Sequence, residues 1–200
     1  MGHIDHGKST LLDFIRKTNV TEGEVGGITQ HLSAYQIEKE TPDGKRFITF
    51  IDTPGHAAFQ AMRERGASVA DIAILVVSAE DGVKPQTLEA LKAIKETQTP
   101  FVVAINKIDK PNADIEKTKA NLAENEVYLE NYGGNIPFAA ISAKTGTGIP
   151  ELLETILLLA DTEGMKSDPE GSAEGVVIQS HLDGKRGNEA TLIVKKGTLQ

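Results

Sequence analysis

The residues with the clearest chemical potential stand at the start of the chain, where Gly2–Ser9 reads GHIDHGKS. The spacing matches G-x-x-x-x-G-K-[ST], the phosphate-binding loop. Glycine lets the backbone curl so that successive N–H groups point at the β- and γ-phosphate oxygens. Lys8 adds a positive charge on those oxygens, and Ser9 offers a hydroxyl to Mg²⁺. The following run, LLDFI, predicts a helix whose N-terminus favours the same anion.

This loop and the residue after it supply the first candidate contacts to a nucleotide. They are Gly2, His3, Asp5, His6, Gly7, Lys8, Ser9 and Thr10. The alternative interpretation is a glycine-rich turn before a helix that holds no nucleotide. His3 and His6 have no third ligand at metal-binding spacing beside them, so the sequence does not predict a zinc site.

A second set of candidate residues follows the β-type run RFITFI, where the sequence continues Asp52-Thr-Pro-Gly-His56. A carboxylate at the carboxyl end of a strand beside a phosphate loop can hold Mg²⁺ through water, so Asp52 is a candidate metal ligand. Gly55 allows its N–H to approach a γ-phosphate closely, and His56 could orient the attacking water. The alternative is an ordinary strand-ending turn, the commonest fate of such residues.

The quartet Asn106-Lys-Ile-Asp109 ends another β-type run and has a physical reason to read guanine. The Asp109 carboxylate can accept from both N1–H and the N2 amino group of guanine, a pairing that adenine does not offer. Asn106 can bond the N7 and O6 edge while it helps to hold the loop. The aliphatic stem of Lys107 can cover the face of the base. Alone, the quartet is a weak signal, because Asn and Asp are ordinary turn residues.

Two further loops complete the candidate site. Ser142, Ala143 and Lys144 end the next predicted strand, where a backbone N–H can reach O6 of the base. Thr29, in a glycine-rich loop, is the remaining candidate ligand of Mg²⁺. Its hydroxyl could close over the metal only while a γ-phosphate is present, which would make the loop an order–disorder switch. The alternative is a plain loop threonine.

These loops need a framework that brings strand ends together, and the pattern of the chain predicts one. Apolar β-type runs alternate with helical runs, which favours an α/β fold with a mostly parallel sheet, helices on both faces and one antiparallel edge strand. An Asp-Gly pair between two β-type runs predicts a hairpin. The predicted hairpin strands and buried strands are 33–40, 45–52, 72–78, 101–105 and 137–141. The predicted helices are 11–18, 57–70, 85–97, 114–128 and 150–160.

Beyond the last helix the character of the sequence changes. We expect a GTP-binding domain over residues 1–161, a polar linker over 162–172, and the first strands of an incomplete all-β domain over 173–200. Both runs in the last part are β-type and no helix separates them. We see no internal repeat.

Composition narrows the class of protein. The formal net charge is −8 and charged residues are 25% of the chain, so bulk attraction to nucleic acid is not expected. The chain has no cysteine, which excludes disulfides and thiolate metal sites. The N-terminus has no apolar signal core, and runs such as IAILVV are too short to span a bilayer. We therefore expect a cytoplasmic protein without membrane contact.

Taken together, GHIDHGKS, GGIT, DTPGH, NKID and SAK resemble the motifs of a translational GTPase in order and spacing. The stretches VGGITQH, DTPGHAAFQAMRERGA, VVSAEDGVKPQT and SAKTGTGIPELL resemble the GTP-binding domain of the bacterial translation initiation factor two family. GVVIQSHLD resembles the start of the second domain of that family, a β-barrel. The resemblance covers nearly the whole chain, and GGITQH, AMRERGA and SAK argue against an elongation-factor type.

The resemblance implies further roles. Ile4 and Ile28 match two apolar residues that gate access of His56 to the water, and His56 matches the residue that the ribosome activates. Asp5 matches a carboxylate near the β–γ bridge oxygen that helps to hold a monovalent cation. GTP and GDP states would then act on the ribosome and control placement of initiator tRNA, which family members bind through domains outside this chain. We expect a monomer.

One departure from the family pattern concerns the strand that precedes the phosphate loop. Family members have an apolar central strand there, and in this chain only Met1 remains. Such a gap leaves backbone groups unpaired, each at a cost of about 1–3 kcal/mol, against a typical net stability of about 5–15 kcal/mol. The alternative function is therefore a non-catalytic truncated fragment that binds nucleotide weakly.

Overall fold

The computed structural model describes residues 1–19, 33–42, 44–52, 68–166, 169–184 and 187–199. The helices are α1 (Lys8–Asn19), α2 (Pro85–Thr97), α3 (Ile115–Glu124) and α4 (Ile149–Thr162). The strands are β1 (Ser33–Thr41), β2 (Gly44–Asp52), β3 (Ala73–Ser78), β4 (Phe101–Asn106), β5 (Phe138–Ala140), β6 (Glu174–Asp183) and β7 (Gly187–Lys196). The helix predicted over 57–70 lies mostly outside the described residues.

The central sheet is parallel and has the strand order β3-β4-β5. Its side chains alternate between two cores, as the strand period of two requires. Val76, Val102 and Ala104 pack with α1 and α4 on one face. Leu75, Val103 and Ile105 pack with α2 and α3 on the other. The predicted α/β class, with helices on both faces of a parallel sheet, is confirmed.

Strands β1 and β2 form the predicted antiparallel hairpin, in unbroken register from Ser33–Asp52 to Thr41–Gly44. The hairpin docks on α1 through Tyr35, whose hydroxyl donates to the Leu12 carbonyl at 3.3 Å. The Tyr35 ring stacks on Phe50 with 5.4 Å between centroids.

In the described residues the hairpin is a sheet of its own rather than the edge of the parallel sheet, because β2 has no hydrogen-bonded pairing with β3. A groove of about 840 Å³ lies between them. Met1 occupies one part of it along β3: its ammonium donates to the Ile74 carbonyl at 2.7 Å, and its carbonyl accepts from the Val76 N–H at 2.9 Å.

One helix boundary differs from the prediction. The helix expected over 114–128 ends at Glu124. Glu126 adopts a left-handed φ of 61°, and the Val127 N–H turns back to the Leu122 carbonyl at 3.0 Å. Val127 and Leu129, beyond Glu124, are still buried, so periodicity alone overestimates the length of the helix.

The last two strands, β6 and β7, form an antiparallel hairpin with irregularities in its register. Ile178 of β6 is buried against Val69. The Lys195 ammonium donates to the Val69 carbonyl at 2.7 Å and pairs with Asp71. Within the described part of the chain, no helix is long and apolar enough to cross a bilayer.

Candidate functional site

The first and second glycines of the phosphate-loop motif are required by close neighbours as well as by backbone conformation. Gly2 has a φ of 140°, and a Cβ there would lie 2.3 Å from the Val76 carbonyl oxygen. Gly7 has a φ of 85°, and a Cβ there would lie 2.4 Å from Asn106 Nδ2. Both distances are shorter than any real Cβ contact. The loop therefore threads between the ends of β3 and β4 only because both positions lack a side chain.

Helix α1 starts directly at the loop. Its first backbone bond runs from the Leu11 N–H to the Gly7 carbonyl at 2.9 Å. By helix geometry, the first amides of α1, such as those of Ser9 and Thr10, point out of the N-terminal end of the helix, so they and the helix dipole can receive an anion. The Lys8 ammonium lies over the same loop and donates to the His3 carbonyl at 2.5 Å. These groups fit a chain of phosphates.

His6 fastens the middle of the loop to β3. Its side chain is fully buried, and Nδ1 lies 3.3 Å from the Val76 carbonyl. Because a carbonyl only accepts, Nδ1 carries the proton. Burial lowers the pKa of His6 to about 4, so the ring is neutral near pH 7. Its edge meets the His3 ring at a centroid distance of 5.0 Å.

The buried neutral ring makes stability depend on pH. Because the pKa of His6 is about 4 when folded and about 6.5 when unfolded, the unfolded chain takes up the proton first. The contribution of neutral His6 to stability is complete above pH 6.5 and is lost as the pH falls toward 4. Between pH 6.5 and pH 4, the free energy of unfolding of wild type should fall by about 2–3 kcal/mol more than that of His6→Asn. Urea unfolding across this pH range measures the difference. A difference that stays constant with pH would contradict the buried neutral state.

Asn106 ties the phosphate loop to the loop after β5. The side chain is 1% exposed. Its Nδ2 donates to the His6 carbonyl at 2.8 Å, and its Oδ1 accepts from the Ala143 N–H at 2.9 Å. From its place in the motif, Asn106 is predicted to bond the N7 and O6 edge of the base and to help hold the loop. The contacts in the structure are those that hold two loops together.

Asp109 and Ser142, from different loops, form a direct pair. The Ser142 hydroxyl donates to Asp109 Oδ1 at 2.7 Å and accepts from the Thr145 N–H at 3.2 Å. This hydroxyl lowers the pKa of the Asp109 carboxyl, and the positive charge of Lys144 acts in the same direction. Asp109 is therefore held as a carboxylate, which can accept two hydrogen bonds from a base.

Lys107 stands between Asn106 and Asp109 in the sequence, and its backbone adopts the left-handed region at a φ of 66°. Its ammonium is 3.5 Å from Glu80 and 3.9 Å from Asp81, both in the loop after β3. The charged end is thus tethered, which leaves the aliphatic stem to cover apolar surface beside the site.

The remaining candidates divide between described and undescribed parts of the chain. Asp52 is the last residue of β2, is 8% exposed, and lines the groove together with Lys8. Ile4 is 37% exposed. Four of the predicted residues lie outside the described residues: Ile28, Thr29, Gly55 and His56.

The donors present suit Mg²⁺ better than a metal held by protein alone. Among the described residues, no three His, Asp or Glu side chains come together in a metal-binding group. Mg²⁺ typically takes one or two protein oxygens and completes its shell with phosphate oxygens and water. The Ser9 hydroxyl and the Asp52 carboxylate are donors of that kind.

One residue near the loop was missed by sequence reasoning. Gln86, in the first turn of α2, accepts a hydrogen bond from the Ile4 N–H through Oε1 at 2.8 Å. A glutamine early in a helix is ordinary, and nothing in its spacing to the phosphate loop distinguishes it. Only the packing of α2 against the end of β3 brings it to the loop.

A phosphate loop on a helix N-terminus, a carboxylate at a strand end and an Asn/Asp pair tied to a Ser loop together define a GTP-binding domain of the phosphate-loop class. The family model described as "Elongation factor Tu GTP binding domain" matches residues 1–162. The chain belongs to this family.

The proteins similar in sequence to this chain include bacterial translation initiation factors. Translation initiation factor IF-2 of Bartonella henselae is 56% identical over 199 residues, covering 100% of this chain and 23% of that protein. IF-2 of Aquifex aeolicus is 56% identical over 200 residues, covering 100% of this chain and 24% of that protein. The chain therefore spans about a quarter of the length of these relatives.

Solved structures agree on the fold. The crystal structure of GDP-bound aIF5B from Aeropyrum pernix has a TM-score of 0.69 and 36% identity, over 98% of this chain and 41% of that chain. The elongation factor SelB of Methanococcus maripaludis, in complex with the GTP analogue GppNHp, has a TM-score of 0.68 and 28% identity, over 98% of this chain and 40% of that chain.

Proposed function

We propose that this chain binds GTP and GDP with Mg²⁺, hydrolyses GTP, and acts as a switch on the ribosome. The observation that best supports the proposal is the Asn106 side chain, which joins the phosphate loop at His6 to the 142–144 loop at Ala143. One buried amide thus holds together the loop proposed to contact the base and the loop proposed to contact the phosphates, which suits a nucleotide as the ligand. Titration with fluorescent GDP and ADP analogues tests the proposal, and equal binding of the two would contradict it.

Recognition of guanine falls to Asp109 in this proposal. Its carboxylate, oriented by the Ser142 hydroxyl, accepts from N1–H and N2 of the base. Lys107 covers one face of the base with its stem, and a backbone N–H of Ala143 or Lys144 reaches O6. Adenine would leave the carboxylate facing an acceptor, and such mismatches can reject a ligand by about 10⁴-fold.

The phosphates are held by the loop itself. Amides after Gly7 and the ammonium of Lys8 bind them, and Ser9, Asp52 and Thr29 hold Mg²⁺, with Asp52 acting through water. The metal supplies positive charge that offsets the charge of the phosphate oxygens in the transition state. Asp5 holds a monovalent cation near the β–γ bridge.

Hydrolysis depends on His56, which orients the attacking water, and on Ile4 and Ile28, which control its access. His56→Ala should leave the affinity for GTP within about twofold of wild type, because the residue is not needed for binding. Ribosome-stimulated turnover should fall by 10² or more, in line with loss of a positioned general-acid/base group. Phosphate release with and without ribosomes measures this. Unchanged stimulated turnover would remove His56 from the mechanism.

The partners follow from the same proposal. The ribosome, through both subunits and its GTPase-activating region, is the partner of this domain, and initiator tRNA is reached only through domains outside this chain. We further propose a monomer in the cytoplasm, with the GTP-binding domain in residues 1–161, a linker in 162–172 and the start of a β-barrel in 173–200.

The second candidate function is a non-catalytic protein that binds nucleotide weakly, and the groove between β2 and β3 is the observation that would favour it. Family membership and the initiation-factor relatives favour the switch instead. Titrating the 200-residue chain with a fluorescent GDP analogue, with and without Mg²⁺, separates the two. Saturable micromolar binding of the GDP analogue that strengthens with Mg²⁺ would exclude this second function.

A further inference from the structure

Asp5 gives the phosphate loop an unusual backbone conformation. Its φ is 62°, in the left-handed region that non-glycine residues seldom adopt. Such conformations persist when the surrounding structure fixes the residues on either side. The His6 N–H, directly after Asp5, turns back to the His3 carbonyl at 3.4 Å. The amides that are proposed to bind phosphate follow from Gly7 onward, so their orientation depends on this turn.

The C-terminal side of the turn is fixed at His6. The His6 carbonyl accepts from Asn106 Nδ2 at 2.8 Å, and its buried ring is fastened to the Val76 carbonyl at 3.3 Å. These two contacts tie the residue after Asp5 to the ends of β4 and β3.

The N-terminal side of the turn is fixed by Gln86. Its Oε1 accepts from the Ile4 N–H at 2.8 Å, across 82 residues of sequence. Ile4 is 37% exposed, so packing restrains its side chain only in part. The hydrogen bond to Gln86 therefore adds a restraint at Ile4, beside the bond that the Lys8 ammonium donates to the preceding carbonyl of His3.

Gln86 itself stands on a rigid support. Pro85 begins α2, and the buried Thr87 closes the first turn: its N–H donates to the Lys84 carbonyl at 2.8 Å, and its hydroxyl accepts from the Lys84 N–H at 3.3 Å. The Val83 N–H donates to Asn121 Oδ1 of α3 at 2.7 Å. The acceptor on Gln86 is therefore presented from a turn that two helices hold in place.

We propose that Gln86 is a positioning residue for nucleotide binding: by holding the Ile4 N–H it maintains the left-handed turn at Asp5 and keeps the following amides aimed at the phosphates. The proposal rests on the proposed function, since it assumes that the loop binds a nucleotide. Without the bond the loop samples other conformations, and a bound nucleotide leaves faster.

The test compares Gln86→Met, which keeps the length of the side chain and removes the amide, with Lys92→Met, an exposed change in the same helix. We expect dissociation of a fluorescent GDP analogue, followed by stopped flow, to be about 2- to 10-fold faster in Gln86→Met, the effect of losing one neutral hydrogen bond. Association and Tm should stay close to wild type. Lys92→Met should match wild type in every measurement.

Backbone NMR tests the contact itself, separately from the rate of nucleotide release. The Ile4 amide proton should shift upfield and exchange faster in Gln86→Met. In Gln86→Glu, which keeps an acceptor at the same length, it should stay near its wild-type position. Failure of wild type to bind GDP would overturn the proposed function, while the Ile4 amide would still test the contact. GDP bound by wild type and released at the same rate by Gln86→Met would overturn the positioning role alone.

Discussion

Asp109→Asn is expected to weaken binding of GDP by about 10²–10⁴-fold while the domain stays folded. The carboxylate offers two acceptors to N1–H and N2 of guanine, and the asparagine amide replaces one of them with a donor. A site built around a hydrogen-bonded group rejects the wrong partner strongly, because buried polar groups are left unpaired. Titration of a fluorescent GDP analogue, beside thermal unfolding, measures both effects.

The same variant provides its own control. Xanthine has a carbonyl where guanine has its N2 amino group, so an amide at position 109 can donate to it. We expect Asp109→Asn to bind xanthosine diphosphate better than GDP, the reverse of wild type. Equal loss of affinity for both nucleotides would mean that Asp109 supports the loop, through its bond from Ser142, rather than reading the base.

Asn106→Ala is expected to lower the free energy of unfolding by about 2–5 kcal/mol and to abolish measurable nucleotide binding. The change removes two hydrogen bonds from a side chain that is 1% exposed, and leaves the His6 carbonyl and the Ala143 N–H without this partner. Each unsatisfied buried group costs about 1–3 kcal/mol. At roughly 2–4 °C per kcal/mol for a domain of this size, Tm should fall by about 5–15 °C.

Asn125→Ala is a matched control, since among the described residues its side-chain amide donates one hydrogen bond, to the Asn121 carbonyl at 2.7 Å. It should cost about 1 kcal/mol and leave nucleotide affinity unchanged. Calorimetry and GDP titration on both variants make the comparison. If Asn106→Ala destabilised no more than Asn125→Ala, the buried amide would not be the tie between the two loops.

The chemistry of the site could be predicted from single motifs because each motif is local. Glycine, lysine and serine at fixed spacing before a helix predict a phosphate loop, so Lys8 and Ser9 could be proposed as ligands without knowledge of any contact. The Asp-Gly pair likewise predicted the hairpin that β1 and β2 form. Helices on both faces followed from apolar strands in alternation with amphipathic helices.

Other features were beyond the sequence because they join distant residues. Asn106 contacts His6, 100 residues away in the sequence, and Ala143, 37 residues away. The parallel register of β3, β4 and β5 makes these contacts possible. The end of α3 at Glu124 was also missed, because a left-handed Glu126 interrupts a pattern that remains apolar and buried.

The sequence by itself determined which atoms are available: a lysine and amides that suit phosphate, a carboxylate that suits guanine and hydroxyls that suit Mg²⁺. The tertiary structure decided how they are held. It requires glycine at position 7 because the Asn106 amide lies 2.4 Å from where a Cβ would stand. It gives Gln86 a place beside Ile4 that no local pattern indicates. The physical reason is that residue type is a local property, whereas orientation depends on packing between segments far apart in the chain.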